Sequence, residues 1–88
     1  MPQEPTLIEY PCAFPIKIMG LTQAGFAQAI LEVVQRHAPD FDAAAMEMRA
    51  SSAGKYLSVT CTVNATSREQ LDALYRELCD HPMVVMVL

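Results

Sequence analysis

The side chains of this chain that carry reactive chemistry are few and far apart. Cys12, Cys61 and Cys79 include no Cys-x-x-Cys pair, and an odd count at wide spacing does not read as a disulfide framework. All three are expected as reduced thiols, which points to a cytoplasmic protein, and their spacing suggests no metal site. His37 and His81 each close a helical pattern, where an imidazole caps free carbonyls and meets the negative end of the helix dipole. No catalytic residue, metal or cofactor is expected from these groups.

One position invites a ligand. Met19-Gly20-Leu21 falls where a first strand feeds a first helix, and a glycine there lets a ligand approach backbone amides at the helix N-terminus. Such a site suits a small carboxylate. Lys17, Lys55 and Tyr56 supply charge and a hydroxyl across the same sheet. The plainer reading is that Gly20 only turns the chain and that the other three solvate a sheet face.

The elements that position these residues follow from periodicity. From Gly54 to Ala65 the side chains alternate, with Leu57, Val59, Cys61 and Val63 opposite Tyr56, Ser58, Thr60, Thr62 and Asn64. A period of two with β-branched residues predicts a long strand buried on one face. Phe14 to Met19 alternates as a first strand ended by Gly20, and Met46 to Arg49 as a second, with Met46 and Met48 inward. Ser51-Ser-Ala-Gly54 is turn chemistry, so the second and third strands should form a hairpin. Met83 to Leu88 reads as a last strand.

Two helices lie between them. Phe26, Ile30, Val33, Val34 and His37 recur at helical spacing after Thr22, a suitable N-cap, and Pro39 ends the run. Leu71, Leu74, Tyr75 and Leu78 form a second stripe, after a capping box on Thr66 and Glu69. The order strand, helix, strand, strand, helix, strand predicts an α+β ferredoxin-like βαββαβ plait, a four-stranded antiparallel sheet with two helices packed on one face. Residues 14–88 form this single domain. Residues 1–13, with Pro2, Pro5 and Pro11, read as a flexible N-terminal arm.

Composition removes several function classes. A net charge of −4 with six scattered basic residues does not suit a polyphosphate binder. RNA-binding plaits present two or three stacking aromatics on the open face, and here Tyr56 stands alone, so no nucleic-acid partner is expected. A phosphatase on this plait needs an Arg after the first strand, and Gly20-Leu-Thr-Gln-Ala-Gly25 has none. No basic residue precedes an apolar run at the N-terminus, and Met83 to Leu88 is too short to span a bilayer. No membrane role is expected.

Association has more support. In the plait the last strand lies at an edge, and Met83 to Leu88 carries neither charge nor proline to block pairing. Val84, Met86 and Leu88 are therefore the expected interface residues, for a homo-oligomer or for a bacterial enzyme as partner; the alternative is that the arm with Leu7, Ile8 and Tyr10 folds over them.

The chain resembles the YbeD-like family of small bacterial proteins. The resemblance rests on Tyr10-Pro-Cys-Ala-Phe-Pro-Ile-Lys-Ile-Met-Gly20, Val33-Val-Gln-Arg-His-Ala-Pro39, Ser51-Ser-Ala-Gly-Lys-Tyr-Leu-Ser-Val-Thr60 and Met83-Val-Val-Met-Val-Leu88. It implies a plait of the ACT type, a class that holds amino acids beside the first strand–helix turn, usually between subunits. It implies no catalytic residue, only a regulatory or binding module of unknown ligand.

Overall fold

The structure, a computed structural model, describes residues 9–88. The expected element order is present: β1 (Cys12–Leu21), α1 (Phe26–His37), β2 (Glu47–Ala50), β3 (Tyr56–Ala65), α2 (Arg68–Asp80) and β4 (Met86–Val87). A short turn of 3-10 helix, Ala43–Ala45, precedes β2, with the Asp42 carboxylate accepting from Ala44 N–H. The sheet runs β2-β3-β1-β4 and every pairing is antiparallel. This is the ferredoxin-like plait.

Its centre is the β1–β3 ladder, in register from Cys12 opposite Ala65 to Leu21 opposite Tyr56. Alternation sends Ile16, Ile18, Val59, Cys61 and Val63 to one side, where all are buried. Phe26, Ile30, Val33 and Val34 of α1 and Leu71, Leu74 and Leu78 of α2 cover them. Each such side chain stabilises the fold by about 1.5–3 kcal/mol on leaving water. Phe14 and Tyr75 add an edge-on aromatic contact, centroids 6.4 Å apart. The other side of the sheet is open.

Several boundaries differ from the sequence expectation, each for a local reason. Gly20 does not end β1: Leu21 still pairs with Tyr56, and Thr22 N–H donates to the Lys55 carbonyl at 2.9 Å. That bond holds Thr22 in the sheet extension, so α1 is capped by Gly25 at φ 85 instead, without a side-chain cap. The capping box on α2 sits one residue later than expected. Ser67 Oγ accepts from Gln70 N–H at 3.1 Å, and Gln70 Oε1 accepts from Thr66 N–H at 2.6 Å.

β4 is shorter than the expected Met83–Leu88 strand. The chain is still turning at Val84, whose N–H donates to the His81 carbonyl, and His81 Nδ1 accepts from Met83 N–H. Met48 faces the helix side, in register with Val59, yet it stays 58% exposed because the helices do not reach the β2 edge. Met46 alone of the pair packs against the core.

Residues 1–8 of the arm expected over 1–13 lie outside the described residues. Tyr10 packs against the core, and the first strand begins at Cys12 rather than Phe14. Pro15 inside β1 is tolerated for a reason the register supplies. Lys17 exchanges both backbone bonds with Leu88 on the β4 side, so Pro15, two residues earlier, turns its donorless nitrogen to the same edge.

Candidate binding face

The open face is built by the same alternation that fills the core. Lys17 and Met19 of β1, Glu47 and Arg49 of β2, and Tyr56, Ser58 and Thr60 of β3 all point away from the helices. Register sets them in rows: Glu47, Thr60 and Lys17 lie across one line of the sheet, and Arg49, Ser58, Met19 and Met86 across the next. Lys17 and Arg49 thus share this face from β1 and β2, with β3 between them.

Two shallow depressions share this surface. One, of about 280 Å³, is lined by Lys17, Glu47, Met48, Arg49, Ser58 and Thr60. The other, of about 190 Å³, is lined by Lys17, Met19, Arg49, Ala50, Ser51, Tyr56 and Ser58. The Ser58 hydroxyl donates to the Arg49 carbonyl at 3.3 Å. Among the described residues the ion pairs are Arg36–Glu77, His37–Glu77 and Arg68–Asp72, which leaves Lys17 and Arg49 uncommitted. Two cations against the single carboxylate of Glu47 make a locally positive spot on a chain of net charge −4. An anion with several oxygens can accept charge-assisted bonds there.

The residues singled out from sequence divide between the two faces. Lys17 and Tyr56 line the same depression. Lys55 is exposed in the hairpin loop, its ammonium 5.6 Å from the centroid of the Tyr56 ring. Gly20 is apart from them: it is buried on the helix side, paired with Leu57. A Cβ there would lie 2.5 Å from Phe26 Cε1 and would also strike the Met83 carbonyl oxygen. Gly20 is therefore no ligand turn at a helix N-terminus but a packing position that lets Phe26 and the approach to β4 close on the sheet. Arg49 lines the depression with Lys17 and Tyr56. Alternation alone sets Arg49 on the open face with Lys17; the shared depression is what the structure adds.

At the β4 edge, Val85, Met86 and Leu88 are exposed, while Val84, expected at an interface, packs half-buried against the core. His37 and His81 are engaged locally, His37 with Glu77 at 2.7 Å. Cys61 lies in the core, where burial pushes its thiol up to about 11, so it stays protonated and unreactive. Among the described residues no three His, Cys, Asp or Glu side chains converge on a metal-sized site, and no helix is long and apolar enough to cross a membrane.

A family model described as a protein of unknown function, DUF493, matches residues 5–88. The chain belongs to the DUF493 family. A DUF493 relative from Nitrosomonas europaea is 61% identical over 85 residues, covering 97% of this chain and 98% of its own. One from Bordetella pertussis is 58% identical over 88 residues, covering 100% and 97%. Both are named only as UPF0250 proteins, the YbeD-like group that the sequence resembles. Among solved structures, a Helicobacter pylori protein superposes with a TM-score of 0.77 at 20% identity, covering 100% of this chain and 94% of its own. The ACT domain of a GTP pyrophosphokinase from Chlorobium tepidum gives 0.58 at 18% identity, covering 88% and 97%. These two share the fold with the DUF493 chain.

Proposed function

We propose that this DUF493 protein is a non-catalytic, cytoplasmic regulatory or binding module whose open sheet face takes a small carboxylate. The observation that supports the reading is the pairing of uncommitted Lys17 and Arg49 on one depression with the Tyr56 and Ser58 hydroxyls. Its volume of about 190 Å³ falls below the usual range of roughly 300–1,000 Å³ for drug-sized ligands, so the ligand is of amino-acid size. The likeness to an ACT domain supports a regulatory use of the plait.

Amide NMR titration with glutamate, serine, succinate and citrate tests the reading. Saturable shifts are expected at Lys17, Arg49, Tyr56 and Ser58. Shifts confined to the helices, or none across that panel, reject it.

A second reading has its own observation. Val85, Met86 and Leu88 leave an apolar edge exposed, which favours an adaptor that adds its last strand to a bacterial enzyme. Only Met86–Val87 is regular strand, so that edge presents little ladder, and the ligand reading is preferred. Met86→Lys would remove edge pairing, whereas Lys17→Gln would leave it intact.

A further inference from the structure

The opposite edge of the sheet carries a pattern that the ligand reading does not use. β2 is exposed along its whole length and reads Glu47-Met48-Arg49-Ala50. Ser51 N–H donates to the Tyr56 carbonyl at 2.8 Å, so Ser51, Arg49 and Glu47 turn their backbone groups toward β3. By the same parity Met48 and Ala50 turn theirs outward, to an edge with no strand beyond it.

We infer that a second copy of this chain pairs antiparallel along that edge, about a two-fold axis at Met48. This interface goes beyond the ligand reading and does not depend on it. In this register Met48 exchanges both backbone bonds with its own equivalent, and Ala50 N–H donates to the partner's Met46 carbonyl. Met46 N–H is already given to Ala43, so only its carbonyl is offered. The 58% exposed Met48 side chains meet each other on the helix side.

Charge selects the register. With the axis at Met48, each Glu47 faces Arg49 of the other copy on the open face, and neither residue has an ion-pair partner among the described residues. An axis at Glu47 would set carboxylate against carboxylate, and one at Arg49 guanidinium against guanidinium. Like charges directly opposite destabilise a strand pair and unlike charges stabilise it. An edge that blocks general pairing with charge thus accepts its own copy alone. The product is one continuous sheet with both open faces on the same side. Arg49, with five donors, keeps some for its depression.

Sedimentation equilibrium of the full chain tests this. The wild type is expected to sediment as a dimer. Glu47→Arg alone and Arg49→Glu alone are each expected to weaken association by roughly tenfold or more, since each sets like charges opposite. The double variant E47R/R49E is expected to recover the dimer, and so is an equimolar mixture of the two single variants. That recovery also shows that the single variants fold. With Cys12 and Cys79 changed to Ser, Met48→Cys is expected to oxidise to a covalent dimer, because a hydrogen-bonded pair holds its Cα atoms about 5.5 Å apart. A monomeric wild type, single reversals that leave the mass unchanged, or cross-linking through Met86→Cys in place of Met48→Cys would overturn the inference.

Discussion

Gly20 lies against the Phe26 ring so closely that a Cβ on it would stand 2.5 Å from Phe26 Cε1. The same absent Cβ admits the Met83 carbonyl on the way into β4. One missing methyl therefore lets α1 and the last strand seat on β1 together. Backbone cannot yield as a flexible side chain can, so the space is not easily recovered. Gly20→Ala is expected to destabilise the fold by about 1–3 kcal/mol in urea unfolding. Unchanged stability would mean that Phe26 and the 83–85 segment have room to move.

Gln70 ties the two helices end to end. Its Oε1 accepts from Thr66 N–H, and its Nε2 donates to the His37 carbonyl at 2.9 Å, answering a free acceptor at the end of α1. Gln70→Ala removes these bonds, with those to the Thr66 hydroxyl and the Asn64 carbonyl, and is expected to cost about 1–2 kcal/mol. Gln70→Glu keeps the acceptor at Thr66 but has no donor for His37, so it should recover only part of that loss. Urea unfolding of both variants reads the difference. Full recovery by Glu would assign the effect to the cap alone.

Glu77 gives stability a pH dependence. The Arg36 guanidinium first, and the His37 ring second, hold its carboxyl below the ordinary 4.5. A carboxylate whose folded value is depressed stabilises the fold fully above its unfolded value. That contribution fades as pH falls through the folded one. The site is near the surface, so the effect is small and weakens with salt. Wild type is expected to melt a few degrees above Glu77→Gln near neutrality. The gap should shrink as pH drops below the ordinary carboxylate range. A gap unchanged at about pH 3 would assign the effect to packing rather than charge.

The fold was legible because two periods do not overlap. The alternation from Leu57 to Val63 admits no helix, and the stripes Phe26-Ile30-Val33-Val34 and Leu71-Leu74-Leu78 admit no strand. What stayed hidden depended on neighbours. A glycine after an alternating run reads as a turn until Phe26 is seen beside it. Thr66 and Ser67 are both able caps, and only the position of Gln70 decides between them. Met83 to Leu88 is apolar on both sides, so no pattern marked where turn gives way to strand. Alternation puts Arg49 and Lys17 on one face, but their share in one depression across β3 comes from register, which neither strand encodes alone.

The claim on which the functional account rests is that Lys17 anchors a carboxylate on the open face. Affinities for glutamate, serine, succinate and citrate, compared between wild type, Lys17→Gln and Lys55→Gln, test it most directly. Lys55 is exposed in the hairpin loop outside both depressions and serves as the control for net charge. Lys17→Gln is expected to weaken the tightest of these ligands about tenfold while Lys55→Gln leaves it within twofold. Equal losses in both variants, or no saturable binding in the wild type, would contradict the claim.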